Sequence, residues 1–140
     1  MTAVDRQLAI CHTDDMARDV VATNRSAPQA GPFSPAVRSH GLTYLSGLVA
    51  EDPATGVLVS GDIGMQTESV LRSLSAVLEA AGKTLDDVVR VGVYLTDMST
   101  FSAMNAVYEQ HFRPPYPART AICVAALPFG AAVEMDAVVG

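Results

Sequence analysis

An arginine and a glutamate set among apolar strand residues are the groups in this chain best suited to do chemistry. Pro117-Ala118-Arg119-Thr120 opens an apolar run that ends at Ala126, and Val133-Glu134-Met135-Asp136 follows after Leu127-Pro128. A guanidinium keeps its proton at every working pH and presents a planar fork that matches a carboxylate, so Arg119 at the mouth of an apolar strand is a natural anchor for a small acid. Glu134 can then handle protons or a water. The competing reading is a structural ion pair between neighbouring strands, because perturbed charge pairs occur at both kinds of place.

The elements that must position these groups follow from periodicity. Ser26 to Pro32 is turn chemistry, and Ala36 to Val49 reads as two extended pieces joined at His40-Gly41, a hairpin ending in Ser46-Gly47. Asp52 to Gly56 is a further turn, with a short strand expected at Val57 to Val59. From Ile63 the period changes: Thr67, Val70, Leu71, Leu74, Val77, Leu78 and Ala81 share one helical face, and Gly82 is placed to end it. Val89, Val91, Val93 and Leu95 alternate as a strand does. Ser99 is then expected to cap a second helix with Phe101, Met104, Asn105, Tyr108 and Phe112 on one stripe, stopped by Pro114-Pro115. Two last strands, Arg119 to Ala126 and Ala132 to Val139, close an α+β domain with its helices on one face of a single sheet. The other face, with Val, Ala and Leu on both sides of the strands, would be a large apolar patch, which predicts a homo-oligomer.

Composition excludes several classes of function. With 140 residues, 49% hydrophobic and 17% charged, the chain suits one domain with a real core. The net charge of -6 and a single lysine, Lys83, argue against a phosphate-neutralising grip on nucleic acid. No apolar run approaches the ~20 residues that span a bilayer. The first twenty residues carry Asp5, Asp14, Asp15 and Asp19 rather than a basic and hydrophobic leader, so a cytoplasmic, membrane-free protein is expected. Cys11 and Cys123 are far apart and His12, His40 and His111 lack metal-ligand spacing, so neither a disulfide framework nor a metal is expected. Residues 1–25 read as an N-terminal extension of uncertain order, in which Thr13-Asp14-Asp15 could cap a short helix through Val21, and residues 26–140 as the domain proper.

Over about Ala27 to Val139 the chain resembles the RidA (YjgF) family of reactive-intermediate deaminases. The resemblance is carried by Ala27-Pro28, Gly31-Pro32-Phe33-Ser34, Ser46-Gly47, Asp52-Pro53, Thr55-Gly56, Gly61-Asp62, Gln66-Thr67 and Leu78-Glu79-Ala80-Ala81-Gly82, in that order. Tyr94-Leu95-Thr96-Asp97-Met98, Asn105-Ala106-Val107-Tyr108, Pro117-Ala118-Arg119-Thr120, Ala125-Ala126-Leu127-Pro128 and Val133-Glu134-Met135 complete it. It implies a chorismate-mutase-like α+β fold, a homotrimer with clefts between subunits, and cofactor-free hydrolysis of 2-imino or 2-enamino acids to 2-oxo acids and ammonia. It also implies residue roles. Arg119 matches the arginine that forks onto the substrate carboxylate, and Glu134 the glutamate that holds and activates water. Ser46 and Gly47 match the strand end lining the pocket, and Asn105 a helix residue near the site.

Two positions depart from that pattern. Phe33 stands where the best-studied members have a tyrosine, keeping the ring and losing the hydroxyl, and Ala121 stands where they carry a cysteine. Cys123, two residues further along, is expected in the core. The bland alternatives are that Asn105 satisfies a buried backbone group, that Gly47 serves close packing and that Ser46 makes a strand-end hydrogen bond. The rival function is a non-catalytic binder or sensor of small carboxylates such as 2-oxo acids, held by Arg119. If the last two strands form a direct hairpin, Arg119 and Glu134 of one chain lie roughly 16 Å apart. Either the strands are not paired that way or the working pair spans two subunits.

Overall fold

The computed structural model describes residues 18–23 and 31–140. In chain order the elements are β1 (Asp19–Val20), β2 (Ala36–Ser39), β3 (Leu42–Leu48), α1 (Ile63–Ala80), β4 (Val88–Leu95), α2 (Phe101–His111), β5 (Ala118–Cys123) and β6 (Val133–Val139). They build one sheet in the order β1-β2-β3-β6-β4-β5. Among the described strands only β4 and β5 run parallel; the other neighbours are antiparallel.

Local chemistry explains the boundaries. His40 (φ 52) and Gly41 (φ 77) form the two-residue turn between β2 and β3, whose left-handed backbone matches the twist of the flanking strands. Asp62 accepts a hydrogen bond from the Met65 amide at 2.9 Å and starts α1. At its other end Gly82 adopts φ +73 and the Lys83 amide reaches back to the Leu78 carbonyl at 2.9 Å. The face of α1 carrying Val70, Leu71, Leu74, Val77 and Leu78 packs into a core with Val91, Val93 and Leu95 of β4 and Val133, Met135 and Val139 of β6. Met104, Tyr108 and Phe112 from α2 and its end complete that core. Both helices thus cover one sheet face, as the periodicity implied.

Four expectations are corrected, and the alternative left open for the last two strands is decided. Residues 19–20 are strand rather than the end of a helix through Val21, and Val21 is 2% exposed in the core; the proposed cap at residues 13–15 lies outside the described residues. The strand at 57–59 reduces to one bridge, Glu51 with Leu58. The helix-leading cap is Asp97, which accepts from the Ser99 amide at 2.9 Å and starts a 3-10 turn, Met98–Thr100, ahead of α2. The last two strands are not a hairpin, because β4 lies between them and pairs with both. Cys123 is exposed, since β5 is the edge strand and the cysteine is its last residue.

The uncovered sheet face also differs from a continuous apolar patch. The centre of that face carries Glu134 and Asp136 of β6 beside Arg90, Gly92 and Tyr94 of β4, with Tyr44 and Ile122 as exposed apolar flanks. A face with this much charge can meet water, so composition alone does not demand a cover.

Candidate functional site

Arg119 occupies the second position of β5, opposite Val91 of β4, and its side chain lies on the helix-covered side of the sheet. Three residues of one α2 stripe hold it. Its guanidinium carbon lies 4.6 Å from the centre of the Tyr108 ring and 5.6 Å from that of Phe101. Its Nη1 donates to Asn105 Oδ1 at 2.7 Å, while Asn105 Nδ2 donates to Glu109 Oε1 at 3.4 Å. Positions 101, 105 and 108 recur at i, i+4 and i+7, so the helix presents ring, amide and ring together. A cation against two aromatic faces keeps its charge and loses freedom. Tyr108 is 4% exposed and burial holds its phenol above the ordinary range, against the opposing pull of Arg119. Ala121 follows two residues later on the same face, packed against the core edge.

Glu134 sits on the other side of the sheet. β3 pairs Leu45 with Ala137 and Leu48 with Met135, so Ser46 and Gly47 together oppose the single Asp136 as a bulge. Glu134 folds over that bulge: a Cβ on Gly47 would stand 2.0 Å from Glu134 Oε1. Glycine is therefore required for the carboxyl to lie against the backbone. The Glu134 carboxyl is half-buried and held above the ordinary carboxylate range, first by burial and then by the negative charge of Asp136. Ser46 Oγ donates to the Ser34 carbonyl at 2.6 Å and the Ser46 amide to the Pro35 carbonyl at 2.9 Å. These two bonds tie the segment carrying Phe33, which is 54% exposed, to the bulge.

The residues singled out from the sequence therefore fall into two groups. Phe33, Ser46, Gly47 and Glu134 gather at the bulge, and Arg119, Asn105 and Ala121 gather at α2, with the sheet between them. The ion-pair reading fails, because among the described residues neither Arg119 nor Glu134 forms a salt bridge. Ser46 does make a strand-end hydrogen bond and Gly47 does serve close packing, in this case with Glu134 itself. Asn105 holds the arginine rather than a backbone group. Four neighbours were missed: Phe101 and Tyr108 as the arginine's supports, and Tyr94 and Asp136 beside Glu134. The i, i+7 spacing around Asn105 and the two-residue strand period from Glu134 to Asp136 carried the signal for three of them.

Among the described residues no group of three or more His, Cys, Asp or Glu is placed to hold a metal ion. No described helix is long and apolar enough to cross a membrane.

A family model described as Endoribonuclease L-PSP matches residues 24–140. The chain belongs to this family, the RidA (YjgF) family. A RutC family protein of Pyrococcus abyssi is 41% identical over 123 residues, covering 88% of this chain and 97% of that protein. The human protein named 2-iminobutanoate/2-iminopropanoate deaminase is 38% identical over 121 residues, covering 86% of this chain and 88% of its own. The crystal structure of RidA from an Antarctic Psychrobacter species superposes with a TM-score of 0.83 at 39% identity, covering 87% of this chain and 98% of that one. The mixed sheet with two helices on one face is thus the RidA fold, and the family includes proteins named as imine deaminases alongside others named for ribonuclease activity.

Proposed function

We propose that this protein hydrolyses reactive 2-imino and 2-enamino acids to 2-oxo acids and ammonia, with Arg119 anchoring the substrate carboxylate and Glu134 activating water. The observation that carries the reading is the confinement of Arg119: two rings and an amide oxygen fix it, and no carboxylate among the described residues pairs with it. Its remaining N–H donors suit an external carboxylate, and a forked contact there orients the adjacent C=N bond. Glu134 supplies what such a substrate then needs, a carboxyl in a partly dry setting whose proton affinity is raised toward the working range. The 38% identity to the human protein named as an imine deaminase supports the same chemistry.

The two groups lie on opposite faces of one sheet, so one chain does not bring them to one substrate. A homotrimer in which Arg119, Asn105 and Ala121 of one subunit meet Phe33, Ser46, Gly47 and Glu134 of the next completes the site. Phe33 contributes an apolar wall and Ala121 a small one, which favours an uncharged, apolar substrate side chain. No metal or organic cofactor enters this scheme, and the substrates require neither nucleic acid nor a membrane.

The test is release of ammonia and 2-oxo acid from imino acids generated in place by an amino-acid oxidase, for wild type and Arg119→Ala at equal concentration. Acceleration by wild type alone supports the deaminase and its anchor. No acceleration over a panel of side chains, with 2-oxo acids still bound in an Arg119-dependent way, would replace it with the carboxylate-sensor reading.

A further inference from the structure

Next to Glu134 lies a charge cluster that substrate anchoring and water activation do not use. Asp136 is two residues along β6, so its side chain leaves the same strand face about 6.6 Å away along the backbone. Its carboxylate is held by two donors from β4: the Gly92 amide reaches Oδ1 at 3.1 Å and the Tyr94 hydroxyl reaches Oδ2 at 3.0 Å. The seat exists only because residue 92 is glycine. A Cβ there would stand 2.3 Å from Asp136 Oδ1 and 2.9 Å from the Tyr94 hydroxyl oxygen. Tyr94 is itself the strand partner of Glu134, and Gly92 that of Asp136, so β4 and β6 interlock at this point.

We propose that Asp136 is a positioning residue for Glu134: a fixed negative charge, clamped by Tyr94 and Gly92, on the same strand face two residues along from the carboxyl that handles the proton. Burial is the larger influence on Glu134 and Asp136 the second, both acting in the same direction. Among the described residues, the neighbouring strands β4 and β3 supply the groups that face this patch. β4 contributes Arg90 and Tyr94, and β3 contributes the Tyr44 phenol and the backbone of the bulge. Arg90 lies 3.9 Å from Asp136 Oδ1 with 46% of its side chain exposed, and it pairs with Val138, on the far side of Asp136 from Glu134. Its effect on Asp136 is therefore screened, and Asp136 still presents negative charge to Glu134. The hydrogen bond to Asp136 is the first cause that holds the Tyr94 phenol above its ordinary range, followed by burial, so the clamp keeps its proton.

The consequence for catalysis rests on the deaminase reading. With the substrate nitrogen protonated, water adds to the C=N carbon and gives one proton to the Glu134 carboxylate, leaving a neutral carbinolamine. Glu134 returns that proton to the nitrogen as the C–N bond breaks. The carbinolamine hydroxyl proton leaves with the departing nitrogen, giving 2-oxo acid and ammonium and restoring the carboxylate. A carboxylate with ordinary proton affinity takes water's proton less readily, so the neighbouring charge serves the first half of this cycle.

The experiment is a pH titration of the Glu134 side-chain carboxyl by carbon-detected NMR, assigned through Glu134→Gln, in wild type and in Asp136→Asn. The asparagine keeps an acceptor for the Gly92 amide while removing the charge. The expected result is a Glu134 midpoint moved to lower pH in Asp136→Asn, with the acid limb of kcat/KM moving the same way and the plateau falling. A merely structural Asp136 would lower the plateau and leave the limb in place. An unchanged or raised midpoint overturns the proposal; should that variant not fold, Tyr94→Phe, which removes the donor to Oδ2 and leaves the aspartate held at Oδ1 alone, is read by the same criterion. The titration needs no turnover. A shifted midpoint in a protein that hydrolyses no imino acid defeats the deaminase reading alone, and an active enzyme with an unshifted midpoint defeats this inference alone.

Discussion

Gly47→Ala separates a clash that disables Glu134 from one that disturbs the fold. The added Cβ would meet Glu134 Oε1 at 2.0 Å and the carboxyl carbon at 3.0 Å, against an ordinary contact of 3.4 Å or more. All three of the nearest atoms belong to the Glu134 side chain, so the flexible carboxyl yields while the backbone stays. Gly47 has no left-handed φ that alanine would resist, so loss of glycine's freedom in the unfolded chain favours the variant by roughly 0.4–1 kcal/mol before any strain. The carboxyl, however, must move by more than about 1 Å, and a displacement of that size at a reacting group is worth about 100-fold in rate. The expected outcome is a Tm equal to or slightly above wild type, with imino-acid hydrolysis down about 100-fold and no further loss when Glu134→Gln is added. Activity within about threefold of wild type would refute the idea that the carboxyl works from its position over the bulge. A sharp fall in Tm would refute the claim that the side chain absorbs the clash.

Asn105→Ala removes the charge-assisted hydrogen bond that fixes Arg119, a contact of about 1.5–3 kcal/mol, so steady-state kinetics should show KM raised by up to roughly 10- to 100-fold with a smaller change in kcat. Leu74→Ala, at a fully buried position of α1, should lower unfolding free energy in urea by about 2–5 kcal/mol without moving KM. Glu68 bridges the helices through His111 and is held below its ordinary value of 4.5, first by that hydrogen bond, with burial opposing and Arg72 assisting. A lowered folded-state value means that its stabilisation is present above 4.5 and is lost as pH falls through the lowered value, so the Tm gap between wild type and Glu68→Gln should close under acid.

The helices and the first hairpin were legible because their signals are local. The stripe from Val70 to Leu78 on α1, Gly82 past its end and the His40-Gly41 turn each act within a few residues, and the structure keeps them. Strand order was not legible, because it depends on which distant edges meet. The turn at Phe129-Gly130 between two apolar runs reads as a hairpin signal, yet β5 instead joins β4 in parallel after α2 crosses over, while β6 enters between β3 and β4. Cys123 illustrates the same limit: alternation gives its face, but only the sheet order makes β5 an edge and leaves the thiol exposed. Ser99 lost the capping position to Asp97 because a 3-10 turn precedes α2, a shift of two residues that propensity does not resolve.

The inserted strand order also divides the labour of the proposed site. Arg119 is supported by α2, through Phe101, Asn105 and Tyr108, and among the described residues shares no hydrogen-bonded neighbour with Glu134. Glu134 is supported by the β3 bulge and by the Tyr94–Asp136 clamp between β4 and β6. Substitutions on the α2 stripe should therefore act on carboxylate binding and KM. Those at the bulge and the clamp should act on proton transfer, kcat and the pH profile. Because the two supports share no side chain, their effects on transition-state stabilisation should add. Asn105→Ala combined with Asp136→Asn should then lose the sum of the single free-energy losses in kcat/KM, within about 0.5 kcal/mol. A marked departure from additivity would mean that the two halves are coupled through the substrate or the subunit interface rather than held independently by the fold.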